Sequence, residues 1–416
     1  MTAPSPKAAA SQRRLVAGAF GLLVVGTLML WHWESARMAG LLVIGAALGM
    51  TLYHAAFGFT GSWRNFIADR RSYGLRVQMV MLAVAVVLFF PVLAEGALWG
   101  RSVGGFVAPL STAVLVGAFI FGLGMQLGGG CGSGTLMTVG AGNPRMVITL
   151  IGFIVGSVLA TLHLPWWREL PGFRPVSVVR EFGPWAAIVM MWMVFAAIAF
   201  AAWWAEYRRH GPPRPLFVPT ARHPIGQIDW WHGPWPMLLG AILLALLNFA
   251  VLAVAGHPWG VTTGFLIWGG QIADAVGVPL RDWPYWQSNG WMLNVSVFAN
   301  SVSVTDFGLL IGALLAAAMA GRFDLRQPIP LRSALAAIIG GILLGYGARL
   351  SYGCNIGAYF SGIASGSLHG WLWLVAAFAG NWLGVMARPL FGLAVTRTAA
   401  AGQGRWPGLR RPRPEC

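Results

Sequence analysis

Apolar runs of about 20 residues, each long enough as a helix to cross the ~30 Å hydrocarbon core of a bilayer, recur along this 416-residue chain. That recurrence leaves few folds open. No water reaches the bilayer interior, so a spanning segment must satisfy its own backbone N–H and C=O groups, and a run of this length does so as a helix. Ten crossings are read, not all of full length: Leu15–Trp31, Gly40–Ala56, Val77–Leu98, Phe106–Leu127, Val147–Leu164, Pro184–Ala205, Pro236–Ala255, Phe307–Ala320, Ser333–Leu350 and Leu368–Leu390. Only 10% of the residues are charged against 57% hydrophobic, too little charge to cover a soluble surface. Tryptophans such as Trp31, Trp33, Trp99, Trp166 and Trp167 gather near the predicted helix ends, where amphipathic rings favour the interface. An all-α multi-pass membrane protein is expected.

The net charge of +16 comes from arginine, Lys7 being the one lysine. The arginines lie between the runs rather than in one basic domain, which excludes a nucleic-acid role. They mark cytoplasmic loops under the positive-inside rule, and some are placed to attract an anion. Three cysteines without CxxC spacing make neither a disulfide framework nor a zinc site, and no metal or cofactor is expected. Cys416, the last residue, has no CaaX context. Leu15–Trp31 follows Arg13 and Arg14 as a signal peptide would, but no small-x-small cleavage site follows, so it reads as a retained first span.

Two glycine-rich stretches break this regularity. Laid over each other at an offset of 223 residues, Phe119–Leu136 (FIFGLGMQLGGGCGSGTL) and Gly341–Phe360 (GILLGYGARLSYGCNIGAYF) align. Gly117 meets Gly340, Gly122 meets Gly345, Gly124 meets Gly347, and Leu127 meets Leu350. Gly130 then meets Gly353, Cys131 meets Cys354, and Gly134 meets Gly357: seven matches in 18 columns, an internal repeat. Each interior glycine weakens a helix by about 1 kcal/mol relative to alanine, so Gly128, Gly129, Gly130, Gly132 and Gly134 forbid an ordinary helix through Cys131. Broken backbone at membrane depth is tolerated only inside the protein or beside an aqueous cavity. Short half-helices are predicted after each break, opening at Thr135 and Leu136 after Cys131 and at Ile356 and Gly357 after Cys354.

Loop charge orients the chain. Arg64, Arg70, Arg71 and Arg76 mark one cytoplasmic loop, and Arg208, Arg209, Arg214 and Arg222 another. The helix leading into Cys131 then runs inward and the one leading into Cys354 outward, so the repeats are inverted. Inverted repeats whose discontinuous helices meet near the midplane are a transporter signature. The division read is a cytoplasmic tail over 1–14, a first repeat over 15–205, an Arg/Pro-rich cytoplasmic linker over 206–234, a second repeat over 235–396 and a cytoplasmic tail over 397–416. A weaker echo precedes each cysteine motif: Phe57-Gly58-Phe59-Thr60-Gly61 against Trp259-Gly260-Val261-Thr262-Thr263-Gly264, with one insertion.

The strings GLGMQLGGGCGSGTL and GYGARLSYGCNIGAYFSGI resemble the two signatures of the YeeE/YedE sulfur-transport family of bacterial membrane proteins, and the likeness runs over most of both halves. It implies a permease of two inverted halves in the bacterial inner membrane with both termini cytoplasmic, importing a small sulfur-bearing anion, thiosulfate above all. It also implies that Cys131 and Cys354 lie on the transport path. FGFTGSWR matches a family segment of the form FCLTGGFR, whose cysteine is a third thiol; Gly58 stands there, so two thiols rather than three are implied. The second half, with GVTTGFLIWGGQ, is more similar to the YedE branch, some members of which are linked to selenium metabolism.

Thiosulfate is a divalent anion with a polarizable terminal sulfur. Half-helix N-termini supply free N–H groups and about half a positive charge each. Gly130, Gly132 and Gly353 beside the cysteines let backbone amides approach closely. A neutral thiol, a weak donor and acceptor, touches sulfur without holding it. The candidate path residues are therefore Cys131, Cys354, Gly130, Gly132, Gly353, Asn355, Gly58, Thr60, Thr262 and Arg349, the last an expensive charge at membrane depth. Asn355 reads equally as a helix cap or a substrate contact. His54 and His257 read as packing residues, and Asp274 and Asp306 as helix-end groups or, if buried, proton or cation sites. No ATP-binding motif is present; GGGCGSG lacks the GK[ST] ending of a phosphate loop. The chain is read as a permease rather than an enzyme, with the lipid bilayer and a small anion as partners and room for a cytoplasmic sulfur-accepting protein. The alternatives are a selenium-species transporter, a thiol-redox protein cycling Cys131 and Cys354, and a scaffold subunit.

Overall fold

The computed structural model describes residues 6–216 and 228–395, with side chains from Gln12 onward. The Cys416 tail and Arg222 of the linker lie outside the described residues. Ten helical segments among the described residues are long and apolar enough to cross a bilayer, as expected of a multi-pass membrane protein.

The chain opens with α1 (Pro6–Trp33), α2 (Ala36–His54), the short α3 (Phe59–Asp69) and α4 (Tyr73–Glu95). Then come α5 (Thr112–Gly128), the short α6 (Gly132–Gly140), α7 (Pro144–Glu169), one turn as α8 (Val178–Phe182) and α9 (Pro184–His210). The second half runs α10 (Met237–Ala255), α11 (Thr262–Ala275), α12 (Pro284–Asn289), α13 (Trp291–Asn294), α14 (Ser301–Met319) and α15 (Leu331–Leu350). A π-helix over Asn355–Ser361 continues into α16 (Gly362–Ala364), and α17 (His369–Ala387) returns. Strand pairing among the described residues consists of two antiparallel two-residue pairs, Ala97–Leu98 with Arg101–Ser102 and Leu110–Ser111 with Gly172–Phe173, and an isolated bridge between Ser177 and Ser367.

Local chemistry sets these boundaries. Ser35, Ser111, Asn143 and Asn300 cap α2, α5, α7 and α14 by accepting from the backbone N–H three residues on. Left-handed glycines close α4, α5 and α10 at Gly96, Gly129 and Gly256. The expected spans differ mainly at their ends. Val77–Leu98 begins earlier, at Tyr73, and Phe106–Leu127 later, at Thr112, because Phe106 to Ser111 is tied along the loops. The Arg281–Asn289 loop folds in part into α12, and Gly256–Gly277 holds the half-helix α11.

The long helices pair across the chain. Helix α7 packs along α15 while α17 packs along α5, and α2 packs along α14 while α10 packs along α4. Helices α5 and α15 lie against each other. Glycines bring these backbones into contact: a Cβ on Gly340 would stand 2.1 Å from the Gly128 nitrogen, and one on Gly308 would stand 2.2 Å from the Leu42 carbonyl oxygen. Between helices in lipid, close packing of small residues replaces the hydrophobic effect as the driving force. Helices α1 and α9 are peripheral and expose Phe20, Leu28, Trp185 and Phe200.

The bundle has two faces of different charge. On one, Arg71 pairs with Glu206, Arg76 donates to the Arg214 carbonyl, and Arg145 donates to Ser333. On the other, Gly104 bonds Gly256, Phe106 bonds Ser365, Val178 bonds Gly366, and Arg281 pairs with Asp274. Glu34, Glu95, Glu169, Glu181, Asp274 and Asp282 all fall near that second face, whereas arginine dominates the first.

Candidate functional site

Both glycine-cysteine motifs break a helix and start a shorter one. Helix α5 ends at Gly128, the chain reverses through Gly129 at φ +94°, and Cys131 becomes the N-cap of α6. Helix α15 ends at Leu350, the chain turns through Tyr352 (φ +62°) and Gly353 (φ +150°), and Cys354 becomes the N-cap of the π-helix. The two cysteines share one backbone conformation, φ −93° and ψ −167° at Cys131 against φ −100° and ψ −167° at Cys354. The carbonyl of each accepts from the residue four places on, Thr135 at 2.8 Å and Ala358 at 2.9 Å. The half-helices thus open three residues earlier than Thr135 and one earlier than Ile356, because the cysteines themselves cap them.

The breaks meet. A Cβ on Gly132 would stand 3.0 Å from Cys354 Sγ and 3.3 Å from Val261 Cγ1. Val261 is the N-cap of α11, so the starts of α6, α11 and the π-helix share one point. The start of α3 lies alongside, with Phe59 against Tyr359 and the Thr60 carbonyl accepting from Gln126. Four short helices therefore direct their positive ends into one region, each leaving early N–H groups without intrahelical acceptors. Cys131 and Cys354 are free thiols, 2% and 0% exposed, so neither sulfur reaches solvent. Cys131 Sγ lies 3.6 Å from Ser133 Oγ, and Ile356 N donates to Cys354 Sγ at 3.4 Å. Among the described residues, no cationic side chain hydrogen-bonds either sulfur.

Several polar groups buried here have no partner among the described residues: Thr60 Oγ1, Thr135 Oγ1, the Trp259 indole N–H, both ends of the Asn355 amide and Tyr359 Oη. Buried polar groups are nearly always hydrogen-bonded, so an uncommitted cluster calls for explanation. Asn355, expected equally as cap or contact, caps nothing; Cys354 takes that place. The other expected residues are distributed around this point. Gly130 packs tightly, a Cβ there standing 3.0 Å from Thr135 Oγ1, and Gly353 would crowd Ala358 N at 2.8 Å. Thr262 is buried in the first turn of α11. Gly58 caps α3 with extended φ of −150°, and a Cβ there would meet no atom within 4 Å. Arg349 is half-buried near the end of α15 and makes no hydrogen bond or ion pair with a described residue.

Two arginines outside the expected set hold the first break in place. Arg145 donates to the carbonyls of Leu127 at 2.6 Å and Gly128 at 2.7 Å, and Arg388 donates to the Gln126 carbonyl at 2.5 Å. These are the orphan acceptors of the α5 terminus, to which a cation is the fitting partner. Arg145 follows the Asn143-Pro144 helix start, a detectable signal; Arg388 has none, because its partner is 262 residues away. His257 bonds the Pro258 carbonyl and Ser301, a packing role as expected, while His54 lies against Trp235 with a buried, unpartnered Nε2. Asp274 is a helix-end group paired with Arg281 at 3.0 Å; Asp306 is fully buried. On the more acidic face, a cavity of about 390 Å³ is lined by Gly105, Arg174, Ser177, Arg180 and Glu181.

An all-helical membrane bundle with discontinuous helices meeting at its centre has the architecture of a membrane transporter. The chain matches the family model described as sulphur transport over residues 54–383, and it belongs to that family. It is 26% identical to the thiosulfate transporter TsuA of Spirochaeta thermophila over 359 residues, covering 82% of this chain and 96% of the relative. It is 24% identical to the TsuA of Escherichia coli K12 over 351 residues, with 82% and 92% covered. The probable transporter YedE of Escherichia coli K12 is 36% identical over 157 residues, and the chain spans only 38% of that relative's length.

Proposed function

We propose that this protein is a permease that brings thiosulfate into the cell through the point where Cys131 and Cys354 meet. The observation that carries the reading is the convergence of four short-helix N-termini on two thiols, with the Cys354 sulfur against the Gly132 backbone. A divalent anion leaving water needs positive potential and donors. The helix starts supply about half a charge each, and Asn355, Thr135, Thr60 and Trp259 hold unused hydrogen-bonding groups nearby. The two thiols bind weakly enough to release the ion. Cys131, Cys354, Gly130, Gly132, Gly353, Asn355, Gly58, Thr60, Thr262 and Arg349 are the residues assigned to the path.

The shared conformation of Cys131 and Cys354 and the exchanged helix pairings support two inverted repeats. The concentration of arginine on one face supports placing that face, and both termini, in the cytoplasm. Redox cycling of the thiols is less well supported, since a reactive thiolate needs a neighbouring cation and neither sulfur has one in hydrogen-bonding contact among the described residues. The relatives named as thiosulfate transporters match along most of the chain, which favours thiosulfate over a selenium species.

The test is uptake of labelled thiosulfate into cells lacking their own importers, with unlabelled thiosulfate, sulfite, sulfate and selenium analogues as competitors. Uptake blocked best by thiosulfate is expected. Uptake blocked equally by sulfate, which has no terminal sulfur, would overturn a thiol-lined path.

A further inference from the structure

Asp306 lies one and a half turns into α14, fully buried, and neither carboxyl oxygen has a hydrogen-bond partner among the described residues. It faces the first turn of α11, where a Cβ on Gly264 would stand 2.6 Å from Oδ2. That turn begins at Val261, which touches Gly132 where the Cys354 sulfur lies. The carboxyl therefore sits within about one helical turn of the proposed path, in space that only a glycine on α11 leaves open.

The groups that face it do not neutralise a negative charge. Helix α6 carries no titratable side chain. Helix α2 carries Arg37, bonded to the Ala255 carbonyl, and Tyr53 and His54 at the far end. Helix α11 carries Asp274, already paired with Arg281. Helix α1 contributes Arg13 and Arg14 at its start and His32 at its end. The Cys354 thiol lies within electrostatic reach, and His257 stands at the head of α14 through its bond to Ser301. No arginine, lysine or histidine among the described residues forms an ion pair with Asp306. An ionised carboxylate in such a place has nothing to offset its lost hydration.

We propose that Asp306 is the proton-binding site that couples anion passage to proton movement, one proton being carried per anion. This rests on the permease reading above. A proton bound at a carboxyl oxygen removes a negative charge beside the path of a divalent anion. By linkage, the anion in turn favours the proton. The proton enters with the anion and leaves the oxygen for the cytoplasm after the anion has gone. No bond other than O–H is made or broken.

The experiment is thiosulfate uptake by reconstituted protein in vesicles holding an entrapped pH indicator, wild type against Asp306→Asn. The wild type is expected to acidify the lumen as thiosulfate enters and to slow as the outside pH rises. Asp306→Asn is expected to lose both the acidification and the pH dependence. A wild type that moves thiosulfate without protons overturns this inference and leaves the permease reading standing, as does an Asp306→Asn protein that still carries protons. A wild type that moves no sulfur anion overturns both. Should Asp306→Asn not fold or carry nothing, Gly264→Ala decides, since its methyl is driven onto Oδ2. A shifted pH profile supports the assignment, and an unchanged profile overturns it.

Discussion

Gly132 offers a perturbation whose effects on stability and transport separate. An alanine methyl there would stand 3.0 Å from Cys354 Sγ and 3.3 Å from Val261 Cγ1. Relaxed contacts lie near ~3.5–4.0 Å, so the overlap is roughly 0.5–1 Å. Both neighbours are side-chain atoms that can yield, which keeps the overpacking cost at about 1–2 kcal/mol. Alanine returns up to ~1 kcal/mol through its better helix propensity. Gly132→Ala is therefore expected to lose no more than about 1–2 kcal/mol of stability. Its methyl nevertheless presses on the Cys354 sulfur at the proposed path, and uptake should fall about tenfold or more, equivalent to ~1.4 kcal/mol or more on the barrier. Thermal unfolding in detergent and vesicle uptake, measured on one preparation, give both quantities. Gly40→Ala is the control, because a Cβ there meets nothing within 4 Å. Wild-type uptake by folded Gly132→Ala would refute the placement of the path.

Two further substitutions probe the surroundings. Arg145→Ala removes the hydrogen bonds to Leu127, Gly128 and Ser333 and should lower stability by about 2–4 kcal/mol, read as a lower detergent melting temperature; Arg145→Lys should restore only part, lacking the guanidinium fork. Gly58→Cys should fold with stability within about 0.5 kcal/mol of wild type, since extended backbone and open space accept the side chain, and thiosulfate should protect the new thiol from a methanethiosulfonate reagent.

Much of this molecule is legible before its coordinates. Hydrophobic run length finds the ten crossings because the bilayer allows few alternatives. Glycine crowding finds the first break, because local helix propensity fails there whatever surrounds it, and the internal repeat carries it to the second. The half-helix starts are misplaced because Cys131 and Cys354 are unusual caps; for the first, propensity alone points to Thr135, the first residue beyond the glycines. Asp306 is ambiguous in sequence, since a carboxylate near a helix start is ordinarily solvated; only the packing of α11 against α14 shows it enclosed. Arg388 is invisible for a similar reason, its role resting on a carbonyl freed by a break in another helix.

The proposed shared role of Cys131 and Cys354 is to carry the sulfur anion. Its most direct measurement is labelled thiosulfate flux into vesicles holding wild type, Cys131→Ala or Cys354→Ala, each first shown monodisperse by size exclusion. Each variant is expected to fold and each alone to lose most of the flux, because the ion must pass both sulfurs. Wild-type flux in both variants would contradict it.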